Sequence, residues 1–203
     1  MKRTILALGG FLLLNACTSE KPISEKDRMF RRDGKEILAE IDTMLDNDQA
    51  IRHMLSYGTA DTNSIDSMVK QWAAKGIDLD SLLFVNDTLL VKGSQKDSLL
   101  RVMAAMDELH TQKMVHWLSV YGYPSSARID PKLGIDPFLI LHHPSPKFRD
   151  TLISLLQTEL REKRLDTISH AMLSWDLAGR EGLPQIPGMK VQKNADGTTT
   201  IEL

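Results

Sequence analysis

The chain has 203 residues, 42% hydrophobic and 26% charged, with a formal net charge of −2. That balance builds a globular domain and excludes collagen-like, low-complexity and largely disordered chains. The net negative charge argues against a nucleic-acid partner. A single cysteine excludes an internal disulfide framework and any multi-cysteine zinc or iron–sulfur site.

The N-terminus reads as a targeting segment. Lys2 and Arg3 precede an uncharged apolar run, Ile5 to Leu14. A run of roughly ten residues is too short to cross a bilayer of about 30 Å as a helix, but it suits a secretory signal. Leu14-Asn15-Ala16-Cys17 resembles the lipobox of bacterial lipoproteins, and Cys17 is the chain's sole cysteine. The resemblance implies cleavage after Ala16 and acylation of Cys17, palmitate included, with an ordinary signal peptide as the alternative. Several acyl chains give stable anchoring at about 0.8 kcal/mol per buried methylene. Thr18 stands where an Asp would retain such a lipoprotein in the inner membrane, so the outer membrane of a Gram-negative envelope is expected. Removing residues 1–16 takes away two basic residues and no acid, which makes the mature chain more acidic. The expected organisation is a signal peptide over 1–16, a lipidated cysteine and polar tether over 17–34, and one helical domain over 35–203.

In that domain, Ile37, Leu38, Ile41, Met44 and Leu45 recur with the helical period. Asp46 or Asn47 can cap a second stretch, Asp48 to Tyr57, which stops at Gly58. Thr62 to Lys75 forms the next helix, with Ile65, Met68, Val69 and Trp72 on one face and Gly76 as terminator. Residues 82–91 fit a small hairpin around Asn86-Asp87. Asp97 to Tyr121 is the longest helical pattern, with Leu99, Val102, Met106, Leu109, Trp117, Leu118 and Tyr121 as its buried stripe and Gly122-Tyr123-Pro124 as its stop. A short helix over 136–143 follows. Pro146 to Lys163 comes next, with Phe148, Leu152, Ile153, Leu155, Leu156 and Leu160 inward. Asp166 caps a last helix reaching about Gly179, and residues 189–202 fit a β-hairpin closed by Asp196-Gly197. The fold class is therefore mainly α: a single multi-helix domain with a small C-terminal β-hairpin.

Several polar blocks, in order, resemble a bacterial family known as domain of unknown function 6624. Asp48-Gln49-Ala50-Ile51-Arg52 is similar to its Asp-Gln-x-x-Arg. His110-Thr111 through Gly122-Tyr123-Pro124 is similar to a polar helix leading to Gly-Trp-Pro. Leu139 to His143 with Phe148-Arg149 is similar to an apolar helix ending in Gln-His before Phe-Gln. Asp176-Leu177 and Pro184-Gln185 are similar to its late Asp-Arg and Pro-Gln motifs. The resemblance runs from about residue 35 to 190. It departs at Asp130, where members have Gly, at Leu177 in place of Arg, and after Gln185. It implies a fold and no defined activity.

Asp48 and Arg52 are spaced i, i+4 and share a helix face. In a cleft, Arg52 would be a fixed fork for a carboxylate or phosphate; on an exposed face the pair would be a solvated feature worth about 0.3–0.5 kcal/mol. His142 and His143 are adjacent on a helix end, about 100° apart, so they do not converge on one ion, and no H-x-x-x-H spacing exists. His143 suits a hydrogen-bonding role toward Asp48 or Asp176. Acid–base work by His110 or His143 is the enzymatic alternative. No G-x-S-x-G and no phosphate-cradling glycine loop occurs outside the signal. No metal or other cofactor is implied. Asp-Ser/Thr-apolar triplets recur, for example at Asp42 and Asp166, and resemble an O-glycosylation sequence of exported proteins or, alternatively, helix caps.

Two functions follow. The first is an envelope lipoprotein whose helical domain binds a peptide, a glycan or another envelope protein, with Asp48, Gln49, Arg52 and Gln185 as binding residues. The second is a hydrolase or transferase acting on an envelope substrate, with His110 or His143 as base, Asp176 or Asp48 orienting it and Arg52 clamping an anion. Convergence of these residues on one open cleft would favour the second; burial in a mutually bonded network would favour the first.

Overall fold

A computed structural model describes residues 23–75, 91–181, 183–193 and 199–202. The expected signal peptide and lipobox (1–22) and the hairpin expected over 82–91 (apart from Val91) lie outside the described residues. Among those that are described, the chain is mainly helical, and no helix is long and apolar enough to cross a membrane.

Helix α1 runs unbroken from Glu25 to Tyr57. Ser24 opens it by accepting the Asp27 N–H at 3.1 Å, and Gly58 (φ 72°) closes it by donating to the Met54 carbonyl. The helix thus begins ten residues before the expected domain boundary at 35, and residues 25–34 of the expected tether are helix. Phe30, 1% exposed, belongs to the core. The break expected at Asp46 or Asn47 does not occur either. Phe30, Ile37, Met44 and Ile51, with Gly34, Ile41, Asp48 and Leu55, form two interleaved series of seven-residue spacing. A stripe that continuous holds one helix against a partner across the place where a cap residue alone would suggest a stop.

The partner is α3. After α2 (Thr62–Ala74), in which Ile65 is buried, α3 spans Gly93–Tyr121 and runs antiparallel to α1. Tyr121 donates to Asp33, Lys113 to Glu40 and Arg52 to Asp107, so ascending numbers on one helix meet descending numbers on the other. The α3 side of the seam also repeats every seven residues, through Met103, His110 and Trp117 and through Asp107, Met114 and Tyr121. This corrects the stripe read from sequence. Val102 and Leu109 are more than half exposed, while His110, Thr111 and Met114 are buried.

Gly122 (φ 76°) ends α3, and short 3₁₀ turns at Ser126–Arg128 and Pro131–Leu133 lead into α4, Phe138–His142. The helix expected over 146–163 is divided into a 3₁₀ turn, Pro146–Phe148, and α5, Arg149–Arg161. In α5 Leu152 and Leu156 are buried as expected, but Ile153 faces solvent and Glu159 is fully buried. Helix α6, Thr167–Leu177, is capped by Asp166, whose carboxylate accepts the Ile168 and Ser169 N–H groups at 2.9 Å. Beyond it, β1 (Lys190–Lys193) and β2 (Thr199–Glu202) lie antiparallel, with Val191 opposite Ile201. The turn expected at Asp196-Gly197 lies outside the described residues.

One core unites α1, α3, α4, α5 and α6. Ile41, Met114, Leu118, Leu141, Leu152, Leu156 and Leu173 are each at most 1% exposed. Burying each such side chain contributes about 1.5–3 kcal/mol, which makes this shared interior the main reason the helices stay together.

Candidate functional site

The seam between α1 and α3 turns polar toward the C-terminal half of α1. Asp48 occupies a seam position and is 1% exposed. Arg52, one turn later, brings Nε and Nη2 onto the Asp48 carboxylate at 2.8–3.0 Å, and Nη2 also donates to Asp107 of α3 at 2.9 Å. Gln49 adds a third donor to Asp48 at 3.0 Å. Two carboxylates therefore share the Nε and Nη2 side of one guanidinium, while Nη1 faces the Met103 sulfur at 3.3 Å. Burial raises the Asp107 carboxyl above its ordinary range, the Arg52 charge opposes that, and the Asp48 charge adds to it.

His110 lies on the same seam, 6% exposed, with Nδ1 buried and without a hydrogen-bond partner among the described residues. Desolvation lowers its pKa, partly offset by Asp48. The neighbouring Thr111 hydroxyl donates to the Asp107 carbonyl at 2.6 Å and accepts the Ser145 N–H at 2.9 Å, tying the loop after α4 to α3.

A second ion-pair group stands at the end of α4. The Asp176 carboxylate, its side chain 2% exposed, meets His142 Nδ1 with one oxygen and accepts from Arg180 Nε at 2.8 Å with the other. Arg180 Nη2 faces His142 Nε2 at 3.2 Å. The His142 ring is thereby held between the Asp176 carboxylate and the Arg180 guanidinium. Arg180 reaches back because Gly179 (φ 87°) and Arg180 itself (φ 62°) are both left-handed, and its guanidinium also lies 5.9 Å from the Trp175 ring. His143 sits in the field of both groups. Burial first, then the charges of Arg52, His142 and Arg180, push its pKa down to about 4, with Asp48 pulling the other way.

Asp48, Gln49, Arg52, His110, His143 and Asp176 are thus gathered in one region, while Gln185 is not. The partner of Asp176 is His142 rather than the expected His143, and Arg52 clamps Asp107 rather than an open anion site. Asp107 and Arg180 were missed in the sequence reading. The seven-residue repeat would have found Asp107, since it places a second carboxylate at a seam position facing Asp48. Cys17 lies outside the described residues. Among the described residues, no group of three or more His, Cys, Asp and Glu side chains could hold a metal ion.

Gln185 lies on the other side of α6, in a cleft of about 410 Å³. It is lined by the apolar Leu160, Ala171, Trp175 and Leu183 and by the polar Thr167, His170, Ser174, Glu181 and Gln185. Among the described residues the His170, Ser174, Glu181 and Gln185 side chains make no hydrogen bond or ion pair with another side chain. Desolvation lowers the His170 pKa, so its imidazole is neutral near pH 7. Of these, Gln185 alone is marked in the sequence; Ser174 and His170 are one turn apart on a helix face that periodicity alone leaves looking like ordinary surface.

A third polar group secures the opposite end of the bundle. Glu159 is fully buried and receives the Tyr123 N–H at 2.9 Å, Arg164 Nε and Nη2, and Lys26 Nζ at 3.3 Å. Burial alone would raise its pKa, but these donors outweigh it and hold the carboxyl below its ordinary value.

No protein-family model, no curated protein and no solved structure matches this chain.

Proposed function

We propose that the chain is a lipid-anchored envelope lipoprotein whose helical domain is a binding module, with its ligand carried in the α6 cleft beside Gln185. The observation that carries this reading is a contrast between two sets of polar groups. Asp48, Arg52 and Asp107 satisfy one another within the bundle and Asp176 is held by Arg180, whereas His170, Ser174, Glu181 and Gln185 stand uncommitted around a partly apolar cleft. Small-molecule sites have the second character, and buried structural networks the first.

The anchor rests on the lipobox pattern at Leu14–Cys17, the lone cysteine and the polar residues 18–22 after it. Thr18 supports the outer membrane. Membership in the 6624 family, supported by the order of the matching blocks, and a C-terminal hairpin turning at Asp196-Gly197 belong to the same proposal. An envelope protein, a peptide and a glycan are the partner classes for the cleft.

One observation favours the hydrolase or transferase reading: His142 is oriented by a buried carboxylate, as a general base would be. Against it, the ring nitrogen that would act faces Arg180.

The test is a thermal-shift panel of oligosaccharides, short peptides and inorganic anions on the mature chain carrying Cys17→Ser, with and without Gln185→Ala. A ligand that raises the melting temperature only when Gln185 is present supports the reading by mass action. A ligand whose effect survives Gln185→Ala but is lost on Asp176→Asn would move the site to the His142 group.

A further inference from the structure

We infer that the α6 cleft binds a neutral saccharide, an inference that rests on the binding-module reading above. Charge narrows the ligand first. Among the described residues no lysine or arginine lines the cleft, the Arg180 guanidinium beside the Trp175 ring is committed to Asp176, and Glu181 repels a phosphate or carboxylate. His170 is neutral at physiological pH and contributes hydrogen bonds rather than charge.

The polar inventory narrows it further. The Ser174 hydroxyl donates and accepts, the Gln185 amide does both through separate atoms, neutral His170 does both through its two ring nitrogens, and Glu181 accepts. Such a set pairs with a ligand presenting many groups that are donor and acceptor at once, which is the chemistry of vicinal hydroxyls. An apolar or a purely cationic ligand would leave most of these groups unpaired.

Shape supplies the rest. The Trp175 indole and the side chains of Leu160 and Leu183 give an apolar wall and floor, against which the C–H face of a pyranose packs while its hydroxyls reach the rim. A volume of about 410 Å³ lies at the lower end of the range for small-ligand sites and accommodates one or two sugar rings. Gln185 lies on the segment from Leu183 to Pro187, where Pro184 and Pro187 flank Gln185-Ile186. Each proline fixes its own φ, which restricts the backbone carrying the amide.

The test is isothermal titration calorimetry on the mature chain with Cys17→Ser, using N-acetylchitotriose, maltotriose, trilysine and inorganic phosphate as separate probes. The inference expects one of the two saccharides to bind with a dissociation constant below about 1 mM. It expects binding at least tenfold weaker in both Gln185→Ala and Ser174→Ala, with the melting temperature of each variant within a few degrees of the parent. Gln185 is exposed, so its variant folds. Saccharide binding that ignores both substitutions would overturn the inference. Binding of trilysine or phosphate alone, lost in Gln185→Ala, would overturn the saccharide and leave the binding module standing. No binding by any probe at about 10 mM overturns the saccharide, and a failed thermal-shift panel beside it would remove the module as well.

Discussion

Asp48 and Arg52 face each other one helical turn apart, with two guanidinium nitrogens on one carboxylate at 2.8–3.0 Å, and α3 closes the pair from the far side through Asp107. A surface pair of this spacing contributes a few tenths of a kcal/mol, but this one has left water, which changes the arithmetic. Removing Arg52 leaves the Asp48 charge buried with only the neutral Gln49 amide to donate to it. Arg52→Ala is therefore expected to cost about 3–5 kcal/mol in urea unfolding. Replacing Asp48 and Arg52 together by Leu and Met should cost markedly less, because no orphaned charge remains at position 48. Equal losses in the single and double variants would show that the pair is not coupled.

Acid should weaken the fold before its carboxylates titrate. His143 has a folded pKa of about 4, against about 6.5 when unfolded. Between those values the unfolded chain binds a proton that the folded chain refuses, so stability falls as pH drops through that window and levels off below it. Allowing for its partial exposure, the contribution is on the order of 2–3 kcal/mol. His110 and His170, both lowered by burial, act in the same direction. Unfolding midpoints measured from pH 7 to pH 4 should show this slope, and His143→Gln should flatten it. A His143→Gln profile parallel to the parent's would assign the slope to other groups.

At the other end of the bundle, Glu159 and Gly122 depend on each other. A Cβ on Gly122 would lie 2.6 Å from Glu159 Oε2 and 2.5 Å from Arg164 Nε, and the backbone there has φ 76° with ψ −169°. That region is open essentially to glycine alone. Gly122→Ala is expected to destabilise by more than about 2 kcal/mol through combined strain and displacement of the ion pair. Glu159→Gln should cost on the order of 3 kcal/mol by stranding Arg164, whose side chain is 8% exposed. Melting temperatures within a degree or two of the parent in both variants would contradict this account of the Glu159 group.

The sequence showed the helices better than it showed their contacts. Gly58, Gly122 and Asp166 act where they were expected to because a cap or terminator is a local matter, settled by one backbone and one side chain. The inward face of α3 was misjudged because Val102 and Leu109 are apolar and His110 and Asp107 are not. Their placement is decided by the seven-residue register with α1, in which the apolar majority carries a polar minority into the interior. Asp48 and Arg52 were legible as a pair, but their saturation by Asp107, 55 residues away from Arg52 in sequence, was not. Asp176 was assigned to the wrong one of two adjacent histidines, since the choice depends on how α4 meets α6. The cleft was legible only as Gln185, because its other groups converge from α6 and the loop beyond it.

The proposed lipid anchor carries a prediction of its own. Ser24 caps α1, so at most seven residues separate Cys17 from the folded domain, a reach of about 25 Å when fully extended. Cys17→Ser should abolish incorporation of labelled palmitate and move the protein from the membrane to the soluble fraction. Labelling that persists in the variant would place the acylation elsewhere and refute the lipobox reading.

In the function proposed above, the buried polar network serves stability while the α6 cleft serves binding. The most direct test measures both quantities on Asp48→Asn and Gln185→Ala side by side: the free energy of unfolding, and the ligand-induced shift in melting temperature for whichever probe stabilises the parent. A crossed result is predicted, with Asp48→Asn losing about 1–3 kcal/mol of stability and keeping the ligand shift, and Gln185→Ala keeping its stability and losing the shift. The reverse pattern, with binding lost on Asp48→Asn and untouched on Gln185→Ala, would contradict the account and return the functional site to the seam between α1 and α3.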